Sequence, residues 1–104
     1  MSEKKRVLVT GGAGFIGANF VQHCLDSGCP VLSLDIKNPP NARHEERFRR
    51  VDILDRDLLS STVADFAPDI LVHLAARTDL DESVGLAGYS ANTDGTRNVV
   101  EAAL

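Results

Sequence analysis

The stretch "RVLVTGGAGFIGANF", residues 6–20, decides the fold. Val7 to Thr10 is a short β-rich run ended by glycine, the pattern of a buried strand. From Phe15 the period changes. Ile16, Phe20 and Cys24 recur four apart, with Gly17, Val21 and Leu25 beside them, which predicts an amphipathic helix closing at Gly28. Between strand and helix, Gly12, Gly14 and Gly17 fit the spacing Gly-x-Gly-x-x-Gly, and Gly11, Gly14 and Gly17 fit a second spacing with two residues between glycines. Both spacings answer the same needs: a tight turn, a backbone that a pyrophosphate can approach, and close packing of helix on strand. The free N–H groups and the positive dipole end of the helix then receive the anion.

Outward from that loop, "VLSLD" at Val31 to Asp35 reads as a second strand. Asp35 ends it about where an acid is needed to accept hydrogen bonds from an adenine ribose. A carboxylate there repels an extra phosphate, so NAD is favoured over NADP, with Lys37 and Arg43 in the adjoining loop as the features on NADP's side. "IKNPPNARHEE" is expected to be loop because Pro39 and Pro40 forbid regular pairing. A short third strand is expected at 48–52. Asp55 or Asp57 is expected to cap a helix with Leu59, Val63 and Phe66 on one face, ended by "APD" at 67–69. "ILVHLAA", 70–76, has the near-continuous apolar character of a strand buried on both faces. His73 within it is expected to be a satisfied buried histidine rather than a catalyst. The final helix places Asn92, Thr96, Val99, Val100 and Ala103 on one side. Strands alternating with helices predict an α/β architecture: a Rossmann-type parallel sheet with helices on both faces and strand order 3-2-1-4. The helical pattern still runs at "NVVEAAL", so the reading is of a fold truncated before its later strands.

Composition narrows the partners. The 104 residues carry 43% hydrophobic and 25% charged residues, ordinary for one globular domain. A net charge of -4 with no basic stripe argues against nucleic acid. The charged run at 45–50 reads as a solvated loop. Cys24 and Cys29, five apart, match neither a redox pair nor a metal-ligand spacing and read as packing residues. No apolar segment is long enough for a signal-peptide core or a membrane span, so the expectation is a reduced, cytoplasmic protein with no membrane partner.

Five ordered motifs together resemble the NAD-dependent epimerase/dehydratase family, the extended short-chain dehydrogenases acting on nucleotide sugars. They are "TGGAGFIG" at 10–17, Asp35, "VDILD" at 51–55, "DILVHLAA" at 69–76 and "YSANTDGTRNVVEAA" at 89–103. The resemblance implies that the backbone amides of Phe15 and Ile16 meet the pyrophosphate beside Gly11, Gly14 and Gly17, and that Asp35 and Ile36 flank the adenosine ribose. It implies that Asp52 and Ile53 contact the adenine, that Leu74, Ala75, Ala76 and Arg77 line the cofactor, and that Asn92 bonds near the nicotinamide. Plain core packing is the alternative for Ile53, Leu74 and Ala75, and pinning of the helix is the alternative for Asn92. The acidic residues Asp79, Asp81 and Glu82 read as a solvated loop. Family chemistry also needs a Tyr-x-x-x-Lys pair, yet four residues after the single tyrosine, Tyr89, stands Thr93. Residues 1–104 are therefore expected to be an N-terminal dinucleotide-binding half-domain without its substrate domain, inactive alone. A non-catalytic NAD(P)-sensing module, or a self-associating one forming a homo-oligomer through the fourth strand's edge or the last helix, is the alternative.

Overall fold

The computed structural model describes residues 4–75 and 85–104, with side chains given outside 85–93. In chain order the elements are β1 (Val7–Thr10), α1 (Phe15–Asp26), β2 (Val31–Asp35), a 3₁₀ segment (Ala42–Arg47), β3 (Phe48–Arg50), α2 (Arg56–Phe66), β4 (Ile70–His73) and α3 (Gly85–Ala103). The four strands form one parallel sheet in the order β3-β2-β1-β4, as the alternation of strand and helix predicts. Val7 pairs with Val31 on one side and Ile70 on the other, and Thr10 with Leu34 and His73, so the carboxyl ends of β1, β2 and β4 finish level.

The sheet divides the core. On one face Val7, Val9 and Val31 pack with Val21 and Cys24 of α1. On the other, Leu8, Leu34 and Val51 pack with Leu59 and Val63 of α2 and Val99 of α3. β1 is buried along its whole length, which is why it reads as an unbroken β-branched and leucine run.

Helix ends follow local chemistry. Asp55 caps α2 by accepting from Leu58 N at 3.2 Å. That helix ends on Ala67, which adopts the left-handed conformation at φ 52° just ahead of Pro68. α1 ends in a Schellman motif: Cys29 N donates to Cys24 O at 2.9 Å, Gly28 N to Leu25 O at 3.1 Å, and Gly28 takes φ +74°.

Five expectations need correction. The 70–76 run forms a strand only over Ile70–His73, with Ile70 exposed and the other three half-buried, because β4 lies at the sheet's edge among the described residues. The buried face of α3 runs through Gly95, Val99 and Ala102: Val99 is buried as expected, while Thr96, Val100 and Ala103 of the expected stripe are exposed. In α1 the buried stripe is Gly17, Val21 and Cys24, and Ile16 stands in solvent. The expected third strand stops at Arg50, although Val51 N still donates to Asp35 O at 3.2 Å, and the expected loop before it contains a 3₁₀ segment started by Asn41 accepting from Arg43 N.

Candidate cofactor site

The strand order reverses at β1, with β2 on one side and β4 on the other, and the crevice at the carboxyl end of such a switch is where open α/β sheets bind ligands. Its floor is the glycine loop. Gly11 takes φ +75° and donates to Leu34 O at 2.7 Å, Gly14 N donates to Gly11 O at 3.2 Å, and Ala18 N to Gly14 O at 2.8 Å opens α1.

The glycines are needed for different reasons. A Cβ at Gly11 would stand 2.6 Å from Ala75 N and 2.8 Å from the carbonyl carbon of Leu74, so the backbones after β1 and β4 are in contact. A Cβ at Gly17 would overlap Gly11 O and come within 2.8 Å of Gly12 Cα, the close approach of helix to loop. A Cβ at Gly12 would overlap Ser33 Oγ, a buried hydroxyl with no partner among the described residues. Gly14 differs. Its φ of -74° and ψ of 173° suit any residue, and a Cβ would meet only Gly11 O at 3.5 Å, an ordinary contact. Nothing among the described residues requires glycine there, which leaves room for a ligand to approach the backbone closely.

Gly14 is also the N-cap of α1, no side chain caps it, and the first turn holds no acid. The amides of Phe15, Ile16 and Gly17 therefore have no intrahelical acceptor and no carboxylate within the helix's own first turn, while the Phe15 and Ile16 side chains project into solvent. Asp35 stands beside this turn. Its Oδ2 accepts from Ala13 N at 3.0 Å and its Oδ1 from Lys37 N at 3.1 Å. A carboxylate offers about four lone-pair sites, so two remain for a diol. Ile36 is exposed next to it, and its carbonyl accepts from Arg50, whose guanidinium also bonds Asn38 Oδ1.

Asp52 is exposed, with Oδ1 accepting from Leu54 N at 2.9 Å. Ile53 is half-buried and its side chain packs against the α2/α3 core. Its carbonyl accepts from Asn98 Nδ2 at 2.9 Å, and a Cβ at Gly95 would overlap the Ile53 side chain. Gly95 and Asn98 thus hold the loop after β3, and sequence reasoning singles out neither. Glycine in the interior of a helix costs about 1 kcal/mol against alanine, and that cost is the available signal.

On the other side of β1, Thr10 organises the end of β4. Leu74 N donates to Thr10 O at 3.0 Å and to Thr10 Oγ1 at 3.1 Å, and Ala75 N donates to Oγ1 at 3.2 Å. Thr10 Oγ1 bonds His73 Nδ1 at 2.6 Å, and His73 Nε2 bonds Thr96 Oγ1 at 3.0 Å. His73 is the satisfied histidine expected from its apolar strand, and burial pushes its pKa down. Leu74 is partly exposed and Ala75 half-buried against Gly11. Ala76, Arg77, Asp79, Asp81 and Glu82 lie outside the described residues, as do the side chains of Tyr89 and Asn92.

This geometry has close relatives. The NAD dependent epimerase/dehydratase family model matches residues 7–104. The low-salt glycan biosynthesis protein Agl12 of Haloferax volcanii is 42% identical over 110 residues, which cover 94% of this chain and 35% of that protein. The dTDP-glucose 4,6-dehydratase of Neisseria gonorrhoeae is 38% identical over 96% of this chain and 32% of its own. The solved UDP-glucose 4-epimerase of Thermus thermophilus, in complex with NAD, superimposes with a TM-score of 0.79 at 34% identity, covering 93% of this chain and 33% of that one. The chain spans about a third of the length of the curated relatives it matches. With the parallel sheet, the glycine loop and the strand-ending Asp35 all in place, the chain belongs to the NAD dependent epimerase/dehydratase family.

Proposed function

We propose that residues 1–104 are the NAD-binding portion of an enzyme that acts on a sugar nucleotide by epimerisation or dehydration. The observation that carries this reading is the pairing of an uncapped helix N-terminus behind Gly14 with the Asp35 carboxylate beside it. The first suits a pyrophosphate and the second a ribose diol. The amides of Phe15, Ile16 and Gly17 would take the phosphate oxygens, Asp35 the adenosine ribose with Ile36 beside it, and Asp52 the adenine amine. Leu74 and Ala75 would close the far side of the crevice, continued by Ala76 and Arg77, with Asn92 toward the nicotinamide. Asp35 also sets the preference for NAD, since its charge repels an extra phosphate on the ribose.

Bound NAD would supply hydride acceptance and return at the sugar carbon. The residues here bind and orient it; the Tyr-x-x-x-Lys base pair has no counterpart among the 104 residues, and removing a positioned acid–base group costs roughly 100- to 10,000-fold in rate. The chain alone therefore turns over no substrate. Calorimetric titration of the purified chain with NAD and then NADP tests the reading: saturable binding with NAD preferred supports it, and a folded chain that binds neither refutes it.

A further inference from the structure

The Thr10 hydroxyl has one proton to give and two lone pairs to fill. Leu74 N and Ala75 N, at 3.1 and 3.2 Å, take both lone pairs. Its proton must then go to His73 Nδ1 at 2.6 Å, so Nδ1 is an acceptor, the ring carries its proton on Nε2, and Nε2–H donates to Thr96 Oγ1 at 3.0 Å. The direction of every bond in the chain from the 74–75 backbone to α3 is thereby set. A second ring proton would turn Nδ1 into a donor, leaving the Thr10 hydroxyl proton without an acceptor and pressing a third donor on Oγ1, where only Leu74 N has another acceptor, Thr10 O at 3.0 Å. Thr10 is fully buried, so no water restores the count.

We propose that His73 is a positioning residue: in its neutral form it clamps the Leu74–Ala75 backbone against Gly11 through Thr10, and protonation of the ring releases that segment from the cofactor crevice. The release is felt at the crevice because Ala75 N lies 2.6 Å from where a Gly11 Cβ would stand, so movement of Ala75 moves the wall opposite the glycine loop. The groups facing the ring are Thr10 of β1 and Thr96 of α3; Asp94 and Arg97, on either side of Thr96, are exposed, and no charged side chain bonds the ring among the described residues. Burial without a counter-charge favours the neutral ring.

The test is a pH titration of the full chain followed by ¹⁵N nuclear magnetic resonance. The expected result is an Nε2–H tautomer for His73 at neutral pH and Leu74 and Ala75 amide shifts that move with the midpoint of His73. An Nδ1–H tautomer, or amides that stay still while His73 titrates, overturns the proposal. In Thr10→Val the ring should titrate with the two amides no longer following; in His73→Asn, whose Oδ1 still accepts from Thr10 and does not titrate, the amides should be independent of pH. Amides that follow His73 in Thr10→Val overturn it equally. The consequence for NAD rests on the cofactor reading above: affinity falls with acidification through the same midpoint, by at most about tenfold per pH unit for one linked proton, and is flat in His73→Asn. A chain that binds NAD at no pH refutes the cofactor reading, while the amide titration still decides the role of His73.

Discussion

Replacing Gly14 and Gly17 separately by alanine should divide binding from folding. At Gly17 the new methyl would overlap Gly11 O and stand 2.8 Å from Gly12 Cα and 2.9 Å from Gly11 C, all backbone atoms that no rotamer change can move aside. Clearing the overlap with Gly11 O, the closest of the three, requires loop and helix to part by at least about 1 Å. Overpacking of this kind costs about 3 kcal/mol at the upper end of its usual range. The better helix propensity of alanine returns about 1 kcal/mol, leaving a net loss of about 2 kcal/mol. For a domain of this size that lowers Tm by about 8–16 °C. At Gly14 the same methyl meets only an ordinary contact at 3.5 Å in a conformation open to any residue, so the stability loss should not exceed the roughly 1 kcal/mol of a poorer N-cap. The methyl would instead stand where the pyrophosphate approaches. Losing even one charge-assisted hydrogen bond there, worth about 1.5–3 kcal/mol, weakens NAD tenfold or more. Thermal melts and calorimetry on the two variants settle the matter. A Gly14→Ala chain that keeps its NAD affinity, or a Gly17→Ala chain that melts with the wild type, refutes the assignment of separate roles.

Asp35→Asn keeps an acceptor for Ala13 N and removes the charge, so NAD should bind more weakly and its preference over NADP should shrink; unchanged discrimination in paired titrations would place the preference elsewhere. Ala67→Gly relieves a left-handed residue at φ 52° that costs an L-amino acid about 1–2 kcal/mol, and after glycine's own entropic cost the chain should gain about 0.5–1 kcal/mol, read as a higher Tm. Burial holds His44 and His73 below the ordinary histidine pKa, with Arg43 adding repulsion at His44, whose Nε2–H donates to Gln22 Oε1. The unfolded chain therefore binds these protons first. The stability they carry is present above about pH 6.5 and declines as pH falls below it. Urea midpoints that hold constant from pH 7.5 to 5.5 would contradict this.

Much of the fold is written locally. The unbroken "VLVT" of β1, the switch from strand to helical period at Phe15 and the glycines between them are consequences of short-range sterics, so the sequence displays them directly. The position of β4 at the edge is not local, because the same apolar run serves a strand with one neighbour or two, and only the sheet order separates the cases. The α3 face keeps Val99 but buries Gly95 where the pattern offers Thr96 and Val100, because the choice is made by what lies opposite, the Ile53 side chain. Asn98 bonding Ile53 O and Thr10 bonding His73 join residues 45 and 63 apart, and no sequence window contains both partners.

Within little more than one turn of α3, Gly95 and Asn98 grip the loop after β3 while Thr96 reaches the ring at the end of β4. That turn works as a gauge block for the two far walls of the crevice, since its pitch sets their separation. Deleting one residue there would turn everything beyond it by about 100° and take at least one grip away. Length variation is tolerable in the proline-bearing loop after β2, where the chain spans exposed ground, and intolerable in this turn of helix, where two walls of the crevice are held at once.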